Sequence, residues 1–157
     1  MPTADTLEIR PLTSNELPLM HALLTMFGEA FNEVDTYGAK RPSAAYLGRL
    51  LDRDDFIALV AMKNGEVIGG LAAYDLHKFE QERSEIYIYD LAVAQAHRRQ
   101  GIATALILAL KKIARARGAY VVFVQADGDD AQAIALYSRL GLREDVVHFD
   151  IPLSDQE

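Results

Sequence analysis

Two short stretches carry residue types and spacings that could do chemistry. In EIYIYDLAV (residues 85–93) a carboxylate, Asp90, interrupts a run of aromatic and β-branched residues. Strict strand alternation sets Glu85, Tyr87, Tyr89 and Leu91 on one face and Ile86, Ile88, Asp90 and Ala92 on the other. A carboxylate in line with two isoleucines is costly to bury unless it is paired, so Asp90 is a candidate to hold an ammonium group and take its proton. Shortly after, HRRQGIATAL (97–106) brings Arg98, Arg99 and Gln100 up to Gly101, and an apolar run follows from Ile102, Ala103 and Thr104. A helix start offers unpaired N–H groups and the positive end of its dipole, and glycine lets a ligand approach the backbone. A phosphate or pyrophosphate fits that arrangement. Neither GxGxxG nor GxxxxGK[ST] is present, so the motif is not that of a dinucleotide or nucleoside triphosphate site.

The charge distribution suggests a second ligand surface of opposite sign. The formal net charge is −7, which argues against a nucleic-acid binder. Residues 91–126 contain no Asp or Glu but hold Arg98, Arg99, Lys111, Lys112, Arg115 and Arg117. All 23 acids therefore lie elsewhere, among them Glu29, Glu33 and Asp35, which end a first helix, Glu80, Glu82 and Glu85 before the central strand, and Asp127, Asp129 and Asp130 after the next. Singly such acids are worth roughly 0–1 kcal/mol, but several in one cleft can steer a polycation.

The elements that must position these residues read as mixed α/β in one domain, residues 1–157. TLEIRPL (6–12) alternates like a strand, and Thr13 with Glu16 has capping-box spacing for a helix to about Phe31. Ser43 caps a short helix, AAYLGRLL. Asn64-Gly65 joins FIALVAM to EVIGGLAAYDL as a hairpin. After the Asp90 strand, residues 101–117 form a long helix closed by Gly118; AYVVFV (119–124) reads as a strand buried on both faces; residues 129–141 form a helix; REDVVHFDIPL closes as a final strand. The expected order is β-α-α-β-β-β-α-β-α-β.

Beyond composition, RxxGxA (Arg98, Gly101, Ala103) followed by DxxAxxLYxxxGL (Asp130, Ala133, Leu136, Tyr137, Gly141, Leu142) resembles the two cofactor motifs of the GCN5-related N-acetyltransferase superfamily. Asp130 stands where that family usually has Asn, and Leu142 where it usually has Phe. The resemblance implies a mixed, mostly antiparallel sheet with a splayed central parallel strand pair and flanking helices. It implies acetyl-coenzyme A as cosubstrate, its pyrophosphate on the turn from Arg98 to Thr104 and its pantetheine beside Leu91, Ala92 and Val93, with Asp130 and Ala133 completing that cofactor set. A backbone N–H near Leu91 would stabilise the developing oxyanion, and Tyr137 would protonate the departing thiolate. The longer strings FEQERSEIYIYDLAVAQAHRRQGIATALI, GAYVVFVQAD and REDVVHFDI look like the type I aminoglycoside 3-N-acetyltransferases. This implies an aminoglycoside substrate, acetylation of the 3-amino group, antibiotic resistance and a homodimer. Glu33, Asp35, Glu85, Tyr87, Asp90 and Asp127 are the substrate-side candidates.

Two rival readings remain open on residues alone: an acetyltransferase for a polyamine or protein amine, and a non-catalytic acyl-coenzyme A sensor. Direct attack in a ternary complex is the expected chemistry, because there is no cysteine and no GxSxG nucleophile elbow. His21, His77, His97 and His148 lack metal-ligand spacing, so no metal is expected. No signal peptide and no membrane span are read from the chain, which makes a cytoplasmic protein the expectation.

Overall fold

The computed structural model describes residues 6–154. It resolves into two compact units, one running to Gln125 and one beginning at Ala126.

The first unit holds a five-stranded sheet in the order β1-β2-β3-β4-β5. The strands are β1 (Glu8–Pro11), β2 (Phe56–Lys63), β3 (Glu66–His77), β4 (Ser84–Val93) and β5 (Ala119–Val124). The first three pairings are antiparallel; β4 and β5 run parallel. Asn64 and Gly65 both have positive φ, 53° and 75°, as the tight hairpin between β2 and β3 requires.

Alternation along β2 divides the core. Phe56, Ala58, Val60 and Met62 join a cluster with Leu23, Met26 and Phe27 of α1 (Leu17–Ala30) and Leu47 of α3 (Ala44–Leu51). Ile57, Leu59 and Ala61 alternate to the opposite face, where α4 (Ile102–Arg117) buries Leu106 and Leu110. Ser43 caps α3 by accepting the N–H of Tyr46 at 3.1 Å, and Gly118 ends α4 in the left-handed conformation at φ 79°. At Gly70 in β3, a Cβ would come within 2.3 Å of Leu23 Cδ1 and 2.7 Å of the Leu59 carbonyl, so only glycine lets α1 lie this close to the sheet.

Several expectations are corrected. Only the Glu16 half of the capping box forms: its carboxylate accepts the Thr13 N–H at 3.1 Å, and α1 starts later, at Leu17, with Pro18 in its first turn. That helix ends at Ala30 because Asn32 turns left-handed, φ 56°. Glu33 and Asp35 therefore do not end the first helix; they open a separate short helix, α2 (Val34–Gly38). Strand β5 is not buried on both faces, since Tyr120 and Val121 are exposed: among the described residues it is the edge of the sheet, paired with β4.

The second unit contains α5 (Ala131–Leu140), capped by Asp130, whose carboxylate accepts the Ala133 N–H at 3.1 Å. The final strand does not form. Residues 142–152 have no regular structure and are exposed, and apolar alternation alone cannot make a strand whose backbone groups find no strand partner among the described residues. His148 there is exposed and bonded to Asp150 at 2.9 Å.

Candidate active site

A bulge decides where Asp90 points. Ala72 of β3 pairs with Asp90 but Ala73 pairs with Ile88, so Tyr89 is an extra residue in β4. An extra residue reverses the in-out parity of everything beyond it. Ile86 and Ile88 remain buried outside the α1 cluster, while Ala92, two residues beyond Asp90, packs against that cluster. Asp90 thus shares a face with Glu85 and Tyr87, not with the isoleucines, which corrects the strict alternation. The bulge leaves Tyr89 exposed and turns the carboxylate toward α1 and α2.

There it meets Tyr37 of α2. The Tyr37 hydroxyl donates toward Asp90 Oδ1 and Oδ2, each at 3.3 Å, a long O–H···O contact of the kind made when one hydrogen is shared by two acceptors. Partial burial pushes the Asp90 carboxyl above the usual carboxylate range; the Tyr37 hydrogen bond lowers it, and the nearby Glu33 charge raises it. Burial, then the Asp90 charge, pushes the Tyr37 phenol well above its ordinary value. Around them stand Tyr74, Tyr87 and Tyr89, with ring centroids 6.0 Å apart for Tyr74–Tyr89 and 5.8 Å for Tyr87–Tyr89, and Phe123 stacked on Tyr87 at 4.7 Å.

The strand itself is open at this point. Pairing between β4 and β5 runs from Ser84 to Ile88 and stops, so residues 89–93, including Leu91, Ala92 and Val93, have no β5 neighbour. Strand β5 ends at Val124, the partner of Ile88, while β4 runs on to Val93, and the free edge can accept an extended ligand.

A turn follows directly. After a 3-10 turn, Gln95–His97, Arg99 adopts a left-handed φ of 65° and Gly101 one of 76°, and α4 begins at Ile102. No side chain caps that helix, and the first intrahelical bond is Ala105 N–H to the Gly101 carbonyl at 3.0 Å. The amides of Ile102, Ala103 and Thr104 therefore precede the helical hydrogen-bond ladder and are placed to hold an anion. The basic residues divide their work. Arg98 bonds to the carbonyls of Val93, at 3.2 Å, and Ala30, at 3.4 Å, so it braces the turn. Gln100 accepts from Lys63 at 3.1 Å, a cation the sequence did not single out. Arg99 is exposed.

Of the acidic candidates, Glu33 lies near Asp90, and Asp35 is exposed one residue into α2. Glu85 is five residues from Asp90 along β4, roughly 16 Å at strand rise, and is occupied by the Tyr120 hydroxyl at 2.7 Å and by Lys78 at 3.8 Å. It does not join Asp90. Asp127 belongs to the second unit and is exposed. In that unit burial, then the Asp130 charge, raises the Tyr137 phenol, so Tyr137 keeps its proton at neutral pH. Tyr37 is the residue that sequence reasoning missed; the five residues of α2 carry no periodicity that would have marked it.

A cavity of about 400 Å³, lined in part by Leu12, Asp54, Phe56 and Arg117, lies elsewhere. Arg117 ends α4, roughly 22 Å along the helix from the Ile102 end. Among the described residues, no three His, Cys, Asp or Glu side chains converge as a metal would need, and no helix is long and apolar enough to cross a membrane.

An open β4 edge beside an uncapped, glycine-led helix start could take an extended ligand that ends in an anion. The Acetyltransferase (GNAT) family matches residues 20–142, and the chain belongs to that family. Its fold is the GNAT fold, an open mixed sheet with β4 and β5 parallel and flanking helices. A crystal structure of an aminoglycoside acetyltransferase from an uncultured soil metagenomic sample is 64% identical, with TM-score 0.93, covering 95% of this chain and 99% of that one. A second soil metagenomic aminoglycoside acetyltransferase, in complex with sisomicin, is 34% identical with TM-score 0.88, covering 94% and 97%. Among curated proteins, an N-alpha-acetyltransferase 30 from Schizosaccharomyces pombe is 34% identical over 54% of this chain and 55% of its own length. For N-acetyltransferase family 8 member 2 of Rattus norvegicus, 32% identical over 54% of this chain, the match spans 38% of that relative. The chain is an acetyltransferase of GNAT type.

Proposed function

We propose that this protein transfers the acetyl group of acetyl-coenzyme A to an amine of an aminoglycoside, at position 3 of the deoxystreptamine ring, and so confers resistance. The observation that carries the reading is the Asp90 carboxylate: half-buried, raised by burial, flanked by Glu33 and Tyr37, and set where β4 loses its β5 neighbour. Identity of 64% to an aminoglycoside acetyltransferase supports the substrate class. The 3-amino position and a homodimer rest on the resemblance of the strings around EIYIYDLAV. The family match runs from residue 20 to residue 142, which supports one acetyltransferase domain made of both units.

The residues fit the cosubstrate. Unpaired amides of Ile102, Ala103 and Thr104, with Gly101 and Arg99, suit a pyrophosphate, while Arg98 and Gln100 shape the turn. The open edge at Leu91, Ala92 and Val93 suits a pantetheine amide chain. Asp130 serves by capping α5, and so sets Ala133 and Tyr137 on that helix. Acetyl-coenzyme A supplies an activated acetyl thioester. An ammonium has no lone pair, so Asp90 first accepts its proton: an N–H bond breaks, an O–H bond forms on the carboxylate, and the electron pair stays on nitrogen for the attack. By the resemblance, Tyr137 would give its phenol proton to the sulfur as the C–N bond forms and the C–S bond breaks, and would regain one from the newly acylated nitrogen. Glu33 and Asp35 offer negative charge to the other ammonium groups, Tyr87 offers an apolar ring wall, and Asp127 is a substrate candidate on its charge alone. Glu85, already partnered, contributes field rather than a direct contact.

Thiol release from acetyl-coenzyme A with gentamicin, spermidine, a lysine peptide and no acceptor tests the reading. Turnover with gentamicin at least about tenfold above the others is expected. Turnover with spermidine or the peptide alone would replace the substrate class; cofactor binding with no turnover would favour a sensor.

A further inference from the structure

We propose that Tyr37 is the positioning residue for Asp90: α2 is held against α1 so that one phenol hydroxyl spans both oxygens of the proton acceptor and fixes how it faces an incoming amine. The proposal rests on Asp90 being that acceptor.

Three features show a built arrangement around the hydroxyl. The Tyr37 ring packs on Phe27 and Phe31, with centroids 6.1 and 5.8 Å away. At position 28 of α1, a Cβ would lie 3.1 Å from Tyr37 Cβ and 3.4 Å from the Val34 backbone, so glycine there is what lets α2 sit this close. Beyond α2, Arg41 ties the segment down: Nε donates to the Tyr37 carbonyl at 3.1 Å, one terminal nitrogen bonds His21 O at 3.1 Å and lies 3.3 Å from its Nδ1, and the other bonds Thr25 Oγ1 at 3.2 Å. A solvated tyrosine needs neither the glycine nor the clamp.

The chemistry gives the arrangement a purpose. A base must be ionised before it takes a proton, and burial and Glu33 both work against that here. Among the described residues, the Tyr37 hydrogen bond and the Glu33 charge act on Asp90, and its own charge acts on Tyr74 of β3 and Tyr87 of β4; none of these groups is a cation. Tyr37 is thus the group that favours the ionised form, because a hydroxyl donates more strongly to a carboxylate than to a carboxylic acid. Sharing its hydrogen between both oxygens leaves lone pairs on each for the ammonium.

The test is Tyr37→Phe, which removes the hydroxyl and keeps the packed ring. Two readouts are taken: the carbon-13 NMR titration of the Asp90 carboxyl in substrate-free protein, and the pH profile of kcat/KM with gentamicin. The NMR midpoint and the acidic limb should both move up by about half a pH unit, with kcat down roughly tenfold and the acetyl-coenzyme A KM within about twofold. Gly28→Ala, which presses on Tyr37 while leaving its hydroxyl, should move both in the same direction. An unmoved NMR midpoint in Tyr37→Phe overturns the proposal whatever the acceptor. A moved midpoint with an unchanged limb and kcat in an active enzyme overturns it too. If gentamicin is not acetylated yet the midpoint moves, the aminoglycoside reading fails and Tyr37 still holds Asp90.

Discussion

Asp90→Asn separates catalysis from folding. Asparagine keeps the shape of the side chain, and its Oδ1 still accepts from the Tyr37 hydroxyl, so packing beneath α2 is preserved. What disappears is the ability to take a proton. Loss of a positioned general base costs about 10²–10⁴ in rate, equivalent to about 3–5.5 kcal/mol of barrier. The acidic limb of the kcat/KM profile should vanish with it, and residual turnover should rise with pH as the amine loses its proton to solvent. Stability should move the other way. Burial raises the folded-state pKa of Asp90 above its unfolded value, so the folded state binds the proton more tightly. That contribution is fully present below the unfolded pKa and is lost as pH rises through the folded pKa, leaving the ionised carboxylate a burden at neutral pH. The variant should therefore melt at a higher temperature than the parent at pH 7 and lose that advantage near pH 3. The assays are thiol release with gentamicin from pH 5.5 to 9.5 and thermal melts at both pH values. Activity within threefold of the parent across the range would refute Asp90 as the base.

Two further outcomes follow from the fold. Asp75 is buried, and its ion pair with Arg117 at 3.1 Å is its partnered side, Oδ1 having no hydrogen-bond partner among the described residues. Arg117→Met should leave that carboxylate uncompensated, costing about 3 kcal/mol and lowering Tm by roughly 6–12 °C in a scanning melt, with the acetyl-coenzyme A KM unchanged. Gly101 is exposed with φ 76°, so Gly101→Ala should cost about 1–2 kcal/mol of turn geometry and raise the acetyl-coenzyme A KM several-fold, while the acceptor KM holds.

What could be read in advance was local. The Asn64-Gly65 hairpin, the Ser43 cap, the Gly118 stop and the Gly101 helix start are each written in one or two residues whose conformational preferences leave little choice. The bulge at Tyr89 was not, because it is a property of the pairing with β3 and no residue in EIYIYDLAV demands it. Its effect is large, since it moves Asp90 from the isoleucine face to the face of Glu85, Tyr87 and Tyr37. Helix α2 was hidden for a related reason: five residues show no periodicity, and its closeness to α1 depends on Gly28, a gap rather than a signal. The last strand failed because alternation describes what a strand would bury without supplying the neighbour it needs.

The most direct test of the account is the product itself. Gentamicin incubated with the protein and acetyl-coenzyme A, then examined by mass spectrometry and two-dimensional NMR, is predicted to carry a single acetyl group, on the 3-amino nitrogen of the deoxystreptamine ring. An unmodified antibiotic, or an acetyl group on any other amine, would contradict it.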